Sequence, residues 1–173
     1  MQLAENLQNR LIELALRLID QQSAKIIIEP LGQSSGYWFG GGNICLTPSG
    51  EILISGRFRN EGDARTGTGA GDRGLECAVY SGNSPNDKFQ KVLSFSKNDL
   101  SHADEVVSIE GVSLIRNPKN ECGYEFFIST EKKKAYPKTL INFQKPGTGV
   151  WSIDLLQAEN GIESFNLKQI ETI

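Results

Sequence analysis

Residues 56–76, GRFRNEGDARTGTGAGDRGLE, hold Arg57, Arg59, Arg65 and Arg73 together with Glu61, Asp63, Asp72 and Glu76, spread among six glycines. A guanidinium presents a rigid fork of N–H donors that suits carboxylates and polyhydroxylated ligands. The acids can accept from sugar hydroxyls or hold the arginines in place. A long connection of this kind between strands often carries function. The plainer reading is an exposed glycine-rich loop whose charges pair locally and contribute little. GTGAGDRG (67–74) has the look of a phosphate-cradling loop, but it lacks the Lys-Ser/Thr ending and feeds a strand rather than a helix, which argues against nucleotide binding.

A second candidate is Glu110, in VVSIEGVSLI (106–115). Val107 and Ile109 alternate with polar neighbours; Val112 and Leu114 alternate in the opposite phase. A period of two that slips at Glu110-Gly111 predicts a β-bulge, a device that re-aims side chains and is common beside active sites. The alternative is a bent edge strand whose glutamate faces water. GYWFGGGN (36–43) sets three aromatics beside three glycines, which suits stacking on a sugar ring, with Trp38 and Asn43 as the candidate contacts and Phe39 as packing. Trp151 reads as core.

Other chemistries are excluded by residue type. His102 is the only histidine and no GxSxG elbow is present, so there is no nucleophile triad. Cys45, Cys77 and Cys122 are far apart with no CxxC pair, so no zinc site is expected, and the thiols read as reduced and structural. No metal and no organic cofactor is implied. Carboxylates remain, and a pair of acids can hydrolyse a glycosidic bond.

Positioning these groups falls to a mostly β chain. Its 173 residues suit one domain, and 18 basic against 21 acidic residues leave a net charge of −3 without a basic stripe, so nucleic acid is not an expected partner. EKKKAYPK (131–138) reads as solvated turn lysines. With no secretion signal and no apolar run of membrane-spanning length, the expected location is cytoplasmic. Leu3, Leu7, Leu11, Leu14 and Leu18 form one stripe of an amphipathic helix within residues 1–22. From residue 23 to 173, short runs separated by turns predict strands: IIIEP (26–30), NICLT and EILIS about a PSG hairpin turn, LECAVY, FQKVLSF, the bulged segment, YEFFIST and VWSIDLL. Their rhythm of roughly 40–50 residues is that of propeller blades. About three such blades, too few to close a ring, are expected; self-association or further C-terminal blades would complete it.

SIEGVSLIRNPKNECGYEFFISTEK (108–132) resembles the segment around the general-acid glutamate of five-bladed propeller glycoside hydrolases of the arabinanase/β-xylosidase type. YSGNSPNDKFQKV (80–92), with Ser84, Asp87 and Phe89 in order, is similar to a degraded Asp-box turn of sialidase-type propellers. The resemblance covers part of the chain and implies an incomplete propeller that cleaves or binds a carbohydrate. It makes Glu110 the general acid, in a partly apolar pocket that raises its pKa. The family's aspartate base has no counterpart in YWFGGGNICL. Asp63 is the leading substitute, with Asp154 and Glu76 behind it, while Arg57, Arg59, Arg65, Arg73 and Glu76 would contact substrate. Without a base, the chain would be a non-catalytic glycan-binding or scaffolding segment.

Overall fold

The computed structural model of the chain describes residues 4–34, 36–60 and 73–173. Asp63 and Arg65, with Glu61 and Asp72, lie outside the described residues. The architecture is all-β and antiparallel behind a single α-helix, the class expected, and the described residues form no closed ring.

Helix α1 spans Glu5–Leu18, with Glu5 in its first turn and Arg17 in its last, charges that complement the helix dipole. None of its residues is buried. Leu7, Leu11, Leu14 and Leu18 of the expected stripe lie on this helix, all exposed, while Leu3 lies outside the described residues. IIIEP, expected as a strand, pairs with no ladder. Instead Lys25–Ile28 lie along the outer face of the first sheet, sharing grooves with Phe39, Ile54 and Tyr80.

The first sheet contains β1 (Trp38–Gly40), β2 (Ile44–Leu46), β3 (Ile52–Arg59), β4 (Glu76–Gly82) and β5 (Gln90–Ser96). β3, β4 and β5 form a meander, while β1 and β2 share the other edge of β3: β1 pairs with its end at Arg57–Arg59, β2 with its start at Ile52–Ile54. The PSG turn closes as expected, Gly50 taking φ +86° and donating to Thr47 O. The second sheet is an up-and-down run of β6 (Val106–Arg116), β7 (Tyr124–Lys132), β8 (Val150–Ala158) and β9 (Glu171–Thr172). Two sheets therefore replace the three blades expected. The length that suggested a third is spent on the helix, on residues 19–37 and on the long β7–β8 connection.

Alternation decides which faces meet. Leu53 on β3, Cys77 and Val79 on β4 and Phe95 on β5 pack against Val112 and Leu114 on β6 and Phe126 and Ile128 on β7. Phe95 and Phe126 stand 6.4 Å apart, ring to ring. At ~25 cal/mol per Å² of apolar surface, burial of such side chains is the main favourable term holding the sheets together. Phe165, from the 3-10 turns that follow β8, closes the core at 5.9 Å from Phe126. Trp151, read as core, is 47 % exposed: it pairs with Glu131, on the side of β8 opposite Leu156.

Candidate functional site

The bulge is present. Ile109 pairs with Thr130 and Gly111 with Ser129, so Glu110 is an extra residue on β6. The slip moves the inward phase from Ile109 to Val112 and Leu114 and leaves the Glu110 side chain 26 % exposed. Gly111 sits where an added Cβ would press on Gly41 O at 3.2 Å.

Two arginines converge on this carboxylate. Arg73 donates from Nη1 to Glu110 Oε1 at 2.7 Å and from Nη2 to Glu131 Oε2. Arg57 donates from Nε to the main-chain oxygen of Glu110 at 2.7 Å, and its Nη2 lies 3.8 Å from Glu110 Oε2. Both arginines are buried, and Glu131 is completely so, its other oxygen accepting from Gly149 N at 2.7 Å. Such buried charges persist only when paired and hydrogen-bonded. Two positive and two negative groups here balance. The expected apolar pocket around Glu110 is thus an ion-pair network. Arg57 reaches it because Leu53, Ser55 and Arg57 share the inward side of β3. Arg73 is placed by Gly74, whose φ of +53° and contact with Ser108 and Ile109 leave no room for a Cβ.

Trp38 extends the cluster toward solvent. Its ring lies under the guanidinium carbons of Arg59 at 5.1 Å and Arg57 at 6.0 Å, a cation–π arrangement. The indole is 40 % exposed and, with Tyr37 and Phe39, lines a groove of about 480 Å³ closed on its far side by Ile26–Ile28 and Pro30.

Asn43 has a different task. Its side-chain nitrogen donates to Leu114 O at 2.9 Å, and its oxygen accepts from Leu114 N and from Ser55 Oγ, each at 2.8 Å. The amide imitates a neighbouring strand for β6. The same edge receives Val112 N→Gly41 O, 2.9 Å, Ile109 N→Gly74 O, 3.0 Å, and the Arg57 contact. An unpaired strand edge is thereby covered. Gly41, at φ +69°, lets the chain swing away from β3 between β1 and β2 to make this contact.

Glu76 does not join the site. Arg57 pairs with Cys77, so the neighbouring Glu76 points to the opposite face of the sheet, where it accepts from Lys91 Nζ at 2.7 Å. Asp154 is wholly buried and committed: Lys132 Nζ donates to it at 2.6 Å, Thr130 Oγ1 at 2.9 Å and Thr172 Oγ1 at 2.6 Å. The residues the sequence reading missed are Glu131 and Lys132. Lys132 was placed among solvated lysines but is buried, whereas Lys133 and Lys134 pair at the surface with Glu105 and Asp104. The 83–88 turn between β4 and β5 is closed by Asn83 N→Asp87 Oδ2 at 3.1 Å, with Phe89 buried beneath Gly82.

The three cysteines are free. Burial pushes the Cys77 thiol up to about 12, and burial also raises Cys45. Among the described residues no group of three or more His, Cys, Asp or Glu is arranged to hold a metal ion, and no helix is long and apolar enough to cross a membrane. No family model, no curated protein and no solved structure matches this chain.

Proposed function

We propose that the protein is a carbohydrate-binding module whose ligand ring stacks on Trp38 in the groove it shares with Tyr37 and Phe39, with hydroxyls turned toward Arg59 and the Glu110–Arg57 pair. The observation that supports this most is the half-exposed indole flanked by two guanidinium groups at the rim of an aromatic groove. Aromatic faces take the apolar side of a sugar, and forked donors take its oxygens. Binding is favoured over cleavage because, among the described residues, Glu110 is the one partly exposed carboxylate of the cluster, while Glu131 and Asp154 are buried and engaged.

Glycoside hydrolysis is the second reading. It is favoured by the bulge that lifts Glu110 out of the core phase, and it needs a second carboxylate, for which Asp63 is the candidate.

Tryptophan emission tests both. In a Trp151→Phe background, Trp38 is the sole indole, and titration with a panel of neutral and acidic oligosaccharides should give a saturable emission change that Arg59→Ala weakens. A flat response across the panel refutes binding. Release of chromophore from aryl glycosides, abolished by Glu110→Gln, would establish the second reading instead.

A further inference from the structure

We infer that α1 of one copy of the protein packs on the outer face of the second sheet of another copy, the two chains exchanging helices. The sheet face is unusual for one turned to solvent. By the ladder registers it carries Ile115 from β6, Phe127 from β7 and Trp151, Ile153 and Leu155 from β8, with Ile173 alongside Ile153. Ile115, Trp151, Ile153 and Ile173 are all exposed. The small residues Gly111, Ser113 and Ser129 lie beside this ridge, and buried Glu131, paired with Trp151, bounds it at one end. An outward sheet face normally alternates to polar residues, and a contiguous apolar patch marks an interaction surface.

The helix presents the complementary surface. Leu7, Leu11, Leu14 and Leu18 line one side of α1 and are all exposed. Charges agree in sign and spacing. Arg10 and Arg17 flank the same side of the stripe, each three residues beyond a leucine, and stand about 10.5 Å apart at 1.5 Å per residue. Glu125 and Glu171 flank the sheet patch. Glu125 pairs with Gln157 and Leu155 with Glu171, so the two acids are two strands and two residues apart, about 12 Å.

The helix of the same chain does not cover this face: none of its residues is buried. Lys25–Ile28 hold the chain on the outer face of the first sheet, beside Phe39, Ile54 and Tyr80. Leu18 and Lys25 are seven residues apart, about 24 Å when fully extended. The patch lies on the far side of two sheets stacked about 10 Å apart. A second copy meets no such limit, and reciprocal exchange closes the assembly at two chains.

Sedimentation of the full-length chain over a wide concentration range tests this. A reversible dimer is expected, with Trp151 emission, isolated in a Trp38→Phe background, shifted to the blue as it forms. Leu11→Asp with Leu14→Asp should give monomer while leaving the sheets folded, since α1 buries nothing in the core; Ile153→Asp should do the same from the other side. Arg10→Glu with Arg17→Glu should weaken the dimer about tenfold, the scale of the four exposed ion pairs a reciprocal exchange makes, and adding Glu125→Arg with Glu171→Arg should restore it. A native chain that stays monomeric, a dimer untouched by Ile153→Asp, or charge reversals that fail to compensate each overturns the inference.

Discussion

Arg73 ties the bulge of β6 to the end of β7: one terminal nitrogen holds Glu110 and the other holds Glu131. Removing the guanidinium would leave Glu131 buried with a single donor, the Gly149 N–H. Arg73→Met should therefore cost about 3–5 kcal/mol in chemical denaturation, the range for stranding one half of a buried pair. Arg73→Met combined with Glu131→Gln should recover part of that loss. If the single variant unfolds at the native midpoint, the bridge is not a structural element.

Asn43 should behave as a clamp. Asn43→Ala strips Leu114 of both partners on that side, and a loss of about 1–3 kcal/mol is expected. Asn43→Asp retains the acceptor for Leu114 N and loses the donor to Leu114 O. It should be weaker than the native chain, and oligosaccharide affinity should follow stability in both variants. A loss of affinity without loss of stability would return Asn43 to the ligand surface.

The Lys132–Asp154 pair locks β9 in place through Thr172. Asp154→Ala should destabilise by about 3–5 kcal/mol because it abandons a buried ammonium. Thr172→Val keeps the shape, and amide exchange should rise at residues 171–173 and hardly elsewhere. Equal protection in Thr172→Val and native protein would show that the ladder alone holds this strand.

Cys77 gives a pH dependence of known sign. Its thiol ionises near 9.0 when unfolded, and burial pushes the folded value up to about 12. The unfolded chain thus releases a proton that the folded chain keeps, and stability is complete below about pH 9 and falls as pH rises toward 12. Tyr80 and Tyr124, also raised by burial, act in the same direction. Cys77→Ala should flatten part of that fall in denaturation midpoints measured from pH 8 to 11. In thiol-reagent titration Cys122, which is exposed, should react first and Cys77 last.

Local patterns were legible wherever period two reports a face. The phase slip at Glu110-Gly111 gave the bulge, and the leucine spacing gave α1. The convergence of Arg57 and Arg73 on Glu110 was not legible, because it joins groups far apart in the chain, and Arg57 and Arg59 belong to β3 rather than to the loop. Glu76 was misplaced because nearness along the chain says nothing of face; it directly precedes Cys77, and consecutive strand residues point in opposite directions. Lys132 could have been found. It is in phase with Phe126 and Ile128, and Asp154 is in phase with Leu156, so two opposite charges point into the core from adjoining strands. Proximity to Lys133 and Lys134 hid that signal. IIIEP failed as a strand because β propensity needs an edge to pair with, and the chain supplies none there. How many sheets the strands would form depended on non-local pairing, which no short window encodes.

The main-chain groups of β6 that face away from β7 are answered by Gly41, Asn43, Arg57 and Gly74, all from the other half of the molecule. Neither half is therefore a self-sufficient fragment. Expressed alone, residues 104–173 would offer a bare ribbon of donors and acceptors to its own kind and should clump, whereas co-expression with the amino-terminal piece should yield a soluble, reconstituted whole that melts once.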